Sequence, residues 1–161
     1  MDPSDLLLIA HQLASGLVGS RRGRPRQAEL RRAVSTAYYA LFHTLARCGA
    51  DLVAGSTKQH RSQSAWQQTY RALDHGETRK RCAPQTRLAE FPIGIQDFAA
   101  SFVRMQRLRH WADYDPLSMF KRSLVLQWIE ETDNAISGFN SVARAERKAF
   151  AVFVLLKHRS R

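Results

Sequence analysis

Apolar residues recur every three or four positions along most of the chain, between a few glycine and proline breaks. This spacing is typical of amphipathic helices that bury one face. The clearest stripe predicts a long second helix that ends near Gly49. The apolar residues of this stripe are Leu30, Val34, Ala37, Leu41 and Leu45.

The same pattern predicts the elements on either side of this helix. A first helix, capped by Ser4, is expected to run through Leu17, and a loop follows over Gly19–Arg26. A short helix is expected over Ser64–Leu73. The charged stretch Asp74–Pro92 is interpreted as an irregular surface loop, because it contains Gly76 and Pro84.

Two further helices are predicted in the second half of the chain. The fourth starts near Ile93–Gln96 and ends at about Asp113, since the residue before Pro116 avoids the helical region. The fifth starts at about Ser118 and bends before an apolar run that ends at Leu156.

The apolar run at 149–156 could form a strand, but no other segment alternates as a partner strand would. The sequence therefore predicts an all-α protein, an up-and-down bundle of four to five helices. We expect one domain over residues 1–161, with an extended C-terminal helical segment at 140–161.

Charge and composition narrow the functional classes. The 161 residues include 25 Lys and Arg against 14 Asp and Glu, a formal net charge of +11. The densest basic element is the segment 21–26. Such an excess favours RNA, DNA or a nucleotide as the partner. The longest apolar run has eight residues, too few to span a membrane, and no signal-peptide pattern is present, so a cytoplasmic protein without membrane contact is expected.

The two cysteines, Cys48 and Cys82, exclude a disulfide scaffold and form no metal-binding signature. They are interpreted as a buried thiol and a loop thiol. No glycine-rich phosphate-binding motif occurs either. We predict no metal site and no cofactor.

The end of the fourth helix carries the most informative residues. A helical wheel puts Arg109 in the middle of the apolar arc, with Asp113 four residues on. Arg104 and Arg107 point away from that arc. A buried arginine keeps its charge, so Arg109 either forms a structural bridge with Asp113 or lines a polar cleft and binds an anion. In the second case His110, Tyr114 and Asp115 would lie at the rim.

Histidines are the candidate proton carriers. His110 is the only histidine among these arginines. His43 shares a polar and aromatic face of the second helix with Arg32, Thr36 and Tyr39, a face suited to packing or to a site. The remaining histidines are interpreted as surface residues: His11, His60, His75 and His158.

Two segments resemble one known family. Residues 31–43, RRAVSTAYYALFH, are similar to the second helix of HEPN (higher eukaryotes and prokaryotes nucleotide-binding) domains. Residues 109–116, RHWADYDP, resemble the Arg-x-x-Ala-Asp-Tyr-Asp-Pro signature of a small prokaryotic branch. This resemblance implies a helical bundle that dimerises, with the sites of both subunits facing one cleft. Many HEPN domains are metal-independent ribonucleases, often toxins paired with a nucleotidyltransferase antitoxin.

The resemblance also implies roles for single residues. Arg109 matches the family's arginine, which would stabilise the phosphorane, and His110 matches the polar residue after it. The family also has a histidine four to six residues beyond its arginine, and this histidine is missing here. Tyr114 stands at the spacing of the shortest form of the motif. Arg104 and His110 also satisfy an Arg-x5-His spacing. The predicted catalytic residues are Arg109, His110, Asp113 and Tyr114. The predicted nucleic-acid contacts are Arg31, Arg32, Tyr39, His43, Arg104 and Arg107.

Three functions follow from these observations. The first is a toxin-like, metal-independent endoribonuclease. The second is a non-catalytic HEPN module that binds nucleotide, RNA or protein, which the missing histidine favours. The third is a structural dimer whose charge only aids solubility.

Overall fold

The computed structural model describes residues 2–17 and 23–156. All regular secondary structure in these ranges is helical, which confirms the predicted all-α class. The helices are α1 (Pro3–Ser15), α2 (Gln27–Ala54), α3 (Gln63–Arg71), α4 (His75–Cys82), α5 (Gln85–Leu88), α6 (Ile93–Tyr114), α7 (Arg122–Ser141) and α8 (Arg144–Leu155). Arg21, Arg22, His158 and the end of the predicted 140–161 segment lie outside the described residues.

The central element is α2, which contacts α1, α3, α6, α7 and α8. Its 28 residues make it about 42 Å long, enough to serve as the axis of the bundle. All five residues of the predicted stripe are buried. The helix continues past Gly49 and ends at Ala54, followed by Gly55, whose φ of 100° is accessible to glycine at little cost.

The other half of the core comes from α6, which packs between α2 and α7. Its predicted apolar side chains are buried: Phe98, Phe102, Met105 and Ala112. The helix ends at Tyr114, as predicted, and Asp115 is extended before Pro116. At its other end, Gly94 lies against the backbone of Gly138, so α6 and α7 approach closely there.

The first helix starts earlier than expected. Asp2, and not Ser4, is the N-cap, because Pro3 is suited to the first helical position and the Asp2 carboxylate accepts from the Ser4 amide at 3.0 Å. Gly16 adopts a left-handed conformation (φ 69°) and ends α1, so Leu17 lies beyond the helix.

The predicted loop over Asp74–Pro92 is wrong, because α4 and α5 lie there. Asp74 caps α4, accepting from the Glu77 amide at 2.8 Å. The face that α4 buries consists of Thr78 and Cys82, two weakly apolar residues that give no hydrophobic stripe. Cys82 is therefore a buried helical thiol, and not a loop thiol.

The predicted fifth helix is two helices. α7 begins at Arg122, four residues later than expected, and the predicted bend is the break between Ser141 and Arg144. The apolar run that could have been a strand forms α8, with Phe150 and Val154 buried. Within the described ranges, no helix is both long and apolar enough to cross a membrane.

Candidate functional site

The site begins with Arg31 of α2, which fixes the end of α6. Its guanidinium donates from Nη1 to the carbonyl oxygens of Ala112 (3.0 Å) and Asp115 (2.8 Å). From Nη2 it donates to the carbonyls of Pro116 and Ser118. The last carbonyls of a helix lack partners within it, so one arginine here satisfies them and holds the following turn. Arg31, a predicted nucleic-acid contact, thus has its donors directed at the protein's own backbone.

The turn after α6 is also held from within. The carboxylate of Asp115 accepts hydrogen bonds from the Ser118 hydroxyl and from the Leu117 amide, the latter at 2.9 Å. These bonds lower the pKa of Asp115, and the bond from the Ser118 side chain has the largest effect. The rim residue predicted at 115 is therefore engaged in shaping the turn.

Arg109 lies inside this framework, with only 19% of its side chain exposed. Its Nε is 2.7 Å from Oδ2 of Asp113, one helical turn on, so the predicted ion pair is present. Its Nη2 donates to the hydroxyl of Tyr39 on α2 at 3.2 Å. The guanidinium carbon is also 5.6–5.9 Å from the ring centres of Tyr38, Tyr39 and Tyr114. The structural bridge to Asp113 is present, and anion binding by Arg109 stays a prediction.

Asp113 is held from a second direction. The hydroxyl of Ser35, a buried residue of α2, donates to Oδ2 of Asp113 at 3.3 Å. The carboxylate is thus fixed between α2 and α6, and it orients the guanidinium of Arg109. Asp113 is well placed as a positioning residue for Arg109.

His75, predicted from the sequence to be an ordinary surface residue, is half-buried in the structure. His75 is the first residue of α4, and its ring stacks on Phe42 with 4.0 Å between ring centres. Its Nδ1 is 2.5 Å from the hydroxyl of Tyr38. The ring also lies 6.1 Å from that of Tyr39, so His75 and Arg109 pack against the same two tyrosines.

The surroundings of His75 favour its neutral form. Burial lowers the pKa of His75, and the charge of Arg109 lowers it further. The adjoining phenol is also held protonated, because burial raises the pKa of Tyr38 well above its ordinary value. The carbonyl of His75 accepts from Gln106 of α6 at 2.7 Å, which ties the start of α4 to the helix that carries Arg109.

A second histidine lies on the α3 side of the same surface. The ring of His43 is stacked between Tyr39 (6.0 Å) and Tyr70 (5.9 Å), and its Nδ1 is 2.5 Å from the Tyr70 hydroxyl. Burial lowers the pKa of His43 as well. The predicted residues Tyr39 and His43 are therefore brought together with Arg109, through the ring of Tyr39.

His110 and Tyr114 lie on the open side of the site. Both are exposed, and their ring centres are 5.0 Å apart. Tyr114 touches the guanidinium of Arg109, but His110 contacts Tyr114 and not the arginine. Their place at the rim of an anion-binding cleft stays a prediction.

The other predicted nucleic-acid contacts lie elsewhere. Arg32 is exposed on α2, next to the inward-facing Arg31. Arg104 pairs with Glu131 of α7, and Arg107 covers the ring of Trp111 at 5.6 Å. As predicted, Arg104 and Arg107 point away from the side of α6 that carries Arg109.

Two chain segments that are far apart in sequence therefore meet at this site. Arg31 contacts Asp115, and Ser35 contacts Asp113. Tyr39 contacts Arg109. In the described part of the chain, no group of three or more His, Cys, Asp or Glu residues could hold a metal ion. Comparisons of the whole chain with protein-family models, with curated proteins and with solved structures find no match.

Proposed function

We propose that this protein is a HEPN-like RNA-binding domain that cleaves RNA without a metal ion, at the Arg109 site. The observation that carries the proposal is the packing of Arg109 and His75 against the same pair of tyrosines. A fixed cation beside a neutral imidazole is the minimum that phosphodiester cleavage by the neighbouring hydroxyl requires. The formal net charge of +11 supports a polyanionic substrate.

In the proposed reaction His75 is the base. The proposed tautomer has Nδ1–H of His75 donating to the Tyr38 hydroxyl oxygen, so Nε2 is the unprotonated ring nitrogen that takes the proton of the RNA 2′-hydroxyl. The 2′-oxygen then attacks phosphorus, and the bond from phosphorus to the 5′-oxygen breaks. Arg109 stabilises the charge on the non-bridging oxygens, the 5′-oxygen takes up a proton from water, and the His75 imidazolium returns its proton to the hydroxide that is left. The products are a 2′,3′-cyclic phosphate end and a 5′-hydroxyl end.

His75 would thus supply the imidazole that the family pattern expects after Arg109 in the sequence. It comes from a different helix, so no spacing rule applied to the segment 109–116 could have found it. His110 and Tyr114 remain alternative proton carriers at the rim, and Asp113 would position Arg109.

The test is incubation of the purified protein with a single-stranded RNA in EDTA, with the fragment ends identified by mass spectrometry. We expect cleavage to cyclic phosphate ends, a loss of at least about 100-fold in rate for Arg109→Lys and His75→Gln, and a smaller loss for His110→Ala. Arg144→Ala and His60→Ala change exposed residues and are the matched controls. Circular dichroism establishes that each variant is folded. Cleavage that survives in Arg109→Lys and His75→Gln would refute the assignment.

The second candidate function is a binding module without catalysis. It is favoured by the ion pair with Asp113, which offsets the charge that Arg109 can offer to a phosphate. An RNA that shifts in mobility but stays intact, with the shift weakened in Arg109→Lys, would identify this function.

The remaining elements of the proposal are a homodimer with both sites facing one cleft, a nucleotidyltransferase-type antitoxin partner and a cytoplasmic location. Exposed apolar side chains at the rim, Trp111, Tyr114, Leu117 and Met119, support a dimer there. Light scattering of the purified protein tests the dimer. A monomer at micromolar concentration would refute it.

A further inference from the structure

A second cleft, separate from the Arg109 site, lies on the other side of α6. It has a volume of about 470 Å³ and is bounded by α4, α5 and α6. We call it the α4–α6 cleft. Three arginines line it: Arg79 of α4, and Arg104 and Arg107 of α6. Cavities of this size are typical of small-molecule sites.

The charge of this cleft is unbalanced. Arg104 is neutralised by its pair with Glu131. In the part of the chain that the structure describes, Arg79 and Arg107 form no ion pair with an acid, and Asp97 is the one carboxylate on the cleft wall. Two arginines without a carboxylate partner therefore line one cleft, Arg107 also lying over the ring of Trp111, and together they match a ligand with two negative charges.

Beside the polar side chains of Gln85 and Gln96, part of the wall is apolar. Leu88, Ile93 and Val103 line the cleft, and Ile93 is 69% exposed at its edge. A wall of this kind takes up a hydrophobic or aromatic body beside the charged head of a ligand. A simple inorganic anion would leave these side chains in contact with water.

We propose that the α4–α6 cleft binds an organic phosphate monoester. The dianionic phosphate lies between Arg79 and Arg107, and the organic body packs on Leu88 and Val103. A phosphate monoester carries close to two negative charges at pH 7, which matches the two unpaired arginines, whereas a carboxylate carries one. This site does not depend on the proposed RNA cleavage.

Isothermal titration calorimetry with three probes at pH 7.5 tests the proposal. Phenyl phosphate has both the dianion and the ring, benzoate has the ring with one charge, and inorganic phosphate has the dianion alone. We expect phenyl phosphate to bind with a dissociation constant of about 1 mM or tighter, and at least about tenfold more tightly than either of the others. Equal binding of inorganic and phenyl phosphate would overturn the proposal. So would no binding of phenyl phosphate at about 10 mM, ten times the expected dissociation constant.

Variants locate the site. We expect Arg79→Ala and Arg107→Ala each to weaken phenyl phosphate binding at least about tenfold, while Arg144→Ala, which removes an exposed arginine from α8, leaves it unchanged. Unchanged binding in Arg79→Ala and Arg107→Ala would refute the location. Arg109→Lys separates the two sites, since it should abolish RNA cleavage and keep phenyl phosphate binding.

Discussion

Replacing Arg31 with methionine tests the claim that this residue holds the end of α6. The substitution keeps a long unbranched side chain and removes four hydrogen bonds to backbone carbonyls. Arg32→Met is the matched control, because Arg32 is the next residue of the same helix and its side chain is exposed.

The magnitude follows from the contacts. Three of the four bonds of Arg31 are partly buried, and the fourth, to Pro116 at 3.3 Å, is exposed. At about 1 kcal/mol net for each partly buried bond, the loss is about 3 kcal/mol. The guanidinium also lies 5.8 Å from the ring centre of Phe120, a contact that adds about 0.5 kcal/mol.

Urea unfolding followed by circular dichroism measures this difference. With an m-value of about 2 kcal/mol/M, a loss of 3–4 kcal/mol lowers the midpoint by about 1.5–2 M. Arg32→Met should stay within about 0.5 kcal/mol of the unmodified protein. If the two variants unfold at the same urea concentration, Arg31 does not hold the helix end. Arg32→Met should instead weaken RNA binding, because its guanidinium is free to meet a phosphate.

Three further predictions address packing, titration and thiol chemistry. Gly94→Ala should lower the free energy of unfolding by about 1–3 kcal/mol, because the new Cβ would lie 2.7 Å from the carbonyl oxygen of Gly138. The control Gly23→Ala should leave it unchanged, because a Cβ there meets nothing within 4 Å. Equal urea midpoints for the two variants would contradict this prediction. The pKa of His75 is lowered on folding, so the unfolded chain binds more protons below pH 6.5. The free energy of unfolding should therefore be highest above pH 6.5 and decrease as the pH falls below that value. This decrease should be smaller in His75→Gln, as unfolding at pH 7.5 and pH 5 would show, and an identical decrease would refute the assignment. Burial raises the pKa of Cys82 to about 12, so its thiol should react with a disulfide reagent at pH 8 only after unfolding; rapid reaction of the folded protein would exclude a buried thiol.

The periodic apolar pattern was sufficient for the long helices. The stripe of α2 and the buried face of α6 are confirmed because both elements bury large aliphatic and aromatic side chains at helical spacing. The loop predicted over the segment 74–92 was wrong because α4 buries a threonine and a cysteine, which form no hydrophobic stripe in the sequence. The helix-capping pair Asp74 and Glu77 was the sequence signal that could have revealed it.

Part of the candidate site was also predictable. Arg109 and Asp113 share a helix, so the helical repeat alone indicated that their side chains can meet, and an ion pair was one of two interpretations. The placement of Arg31 was not predictable, because a basic residue near a helix start has the same sequence signature whether it faces solvent or another helix. Only the crossing of α2 over the end of α6 directs its guanidinium at four carbonyls.

His75 depends on the tertiary fold in the strongest way. It precedes Arg109 by 34 positions, and its ring reaches Tyr38 and Tyr39 only because α4 packs on α6 and begins at that point. The residues that create its environment are an arginine and two tyrosines from two other helices, each of which also has a packing role. A base assembled in this way need not leave a motif in the sequence, because the spacing between its members is set by loops. The absence of a histidine four to six residues beyond Arg109 therefore argues against one way of building the site, and leaves the chemistry itself open to a histidine from another helix.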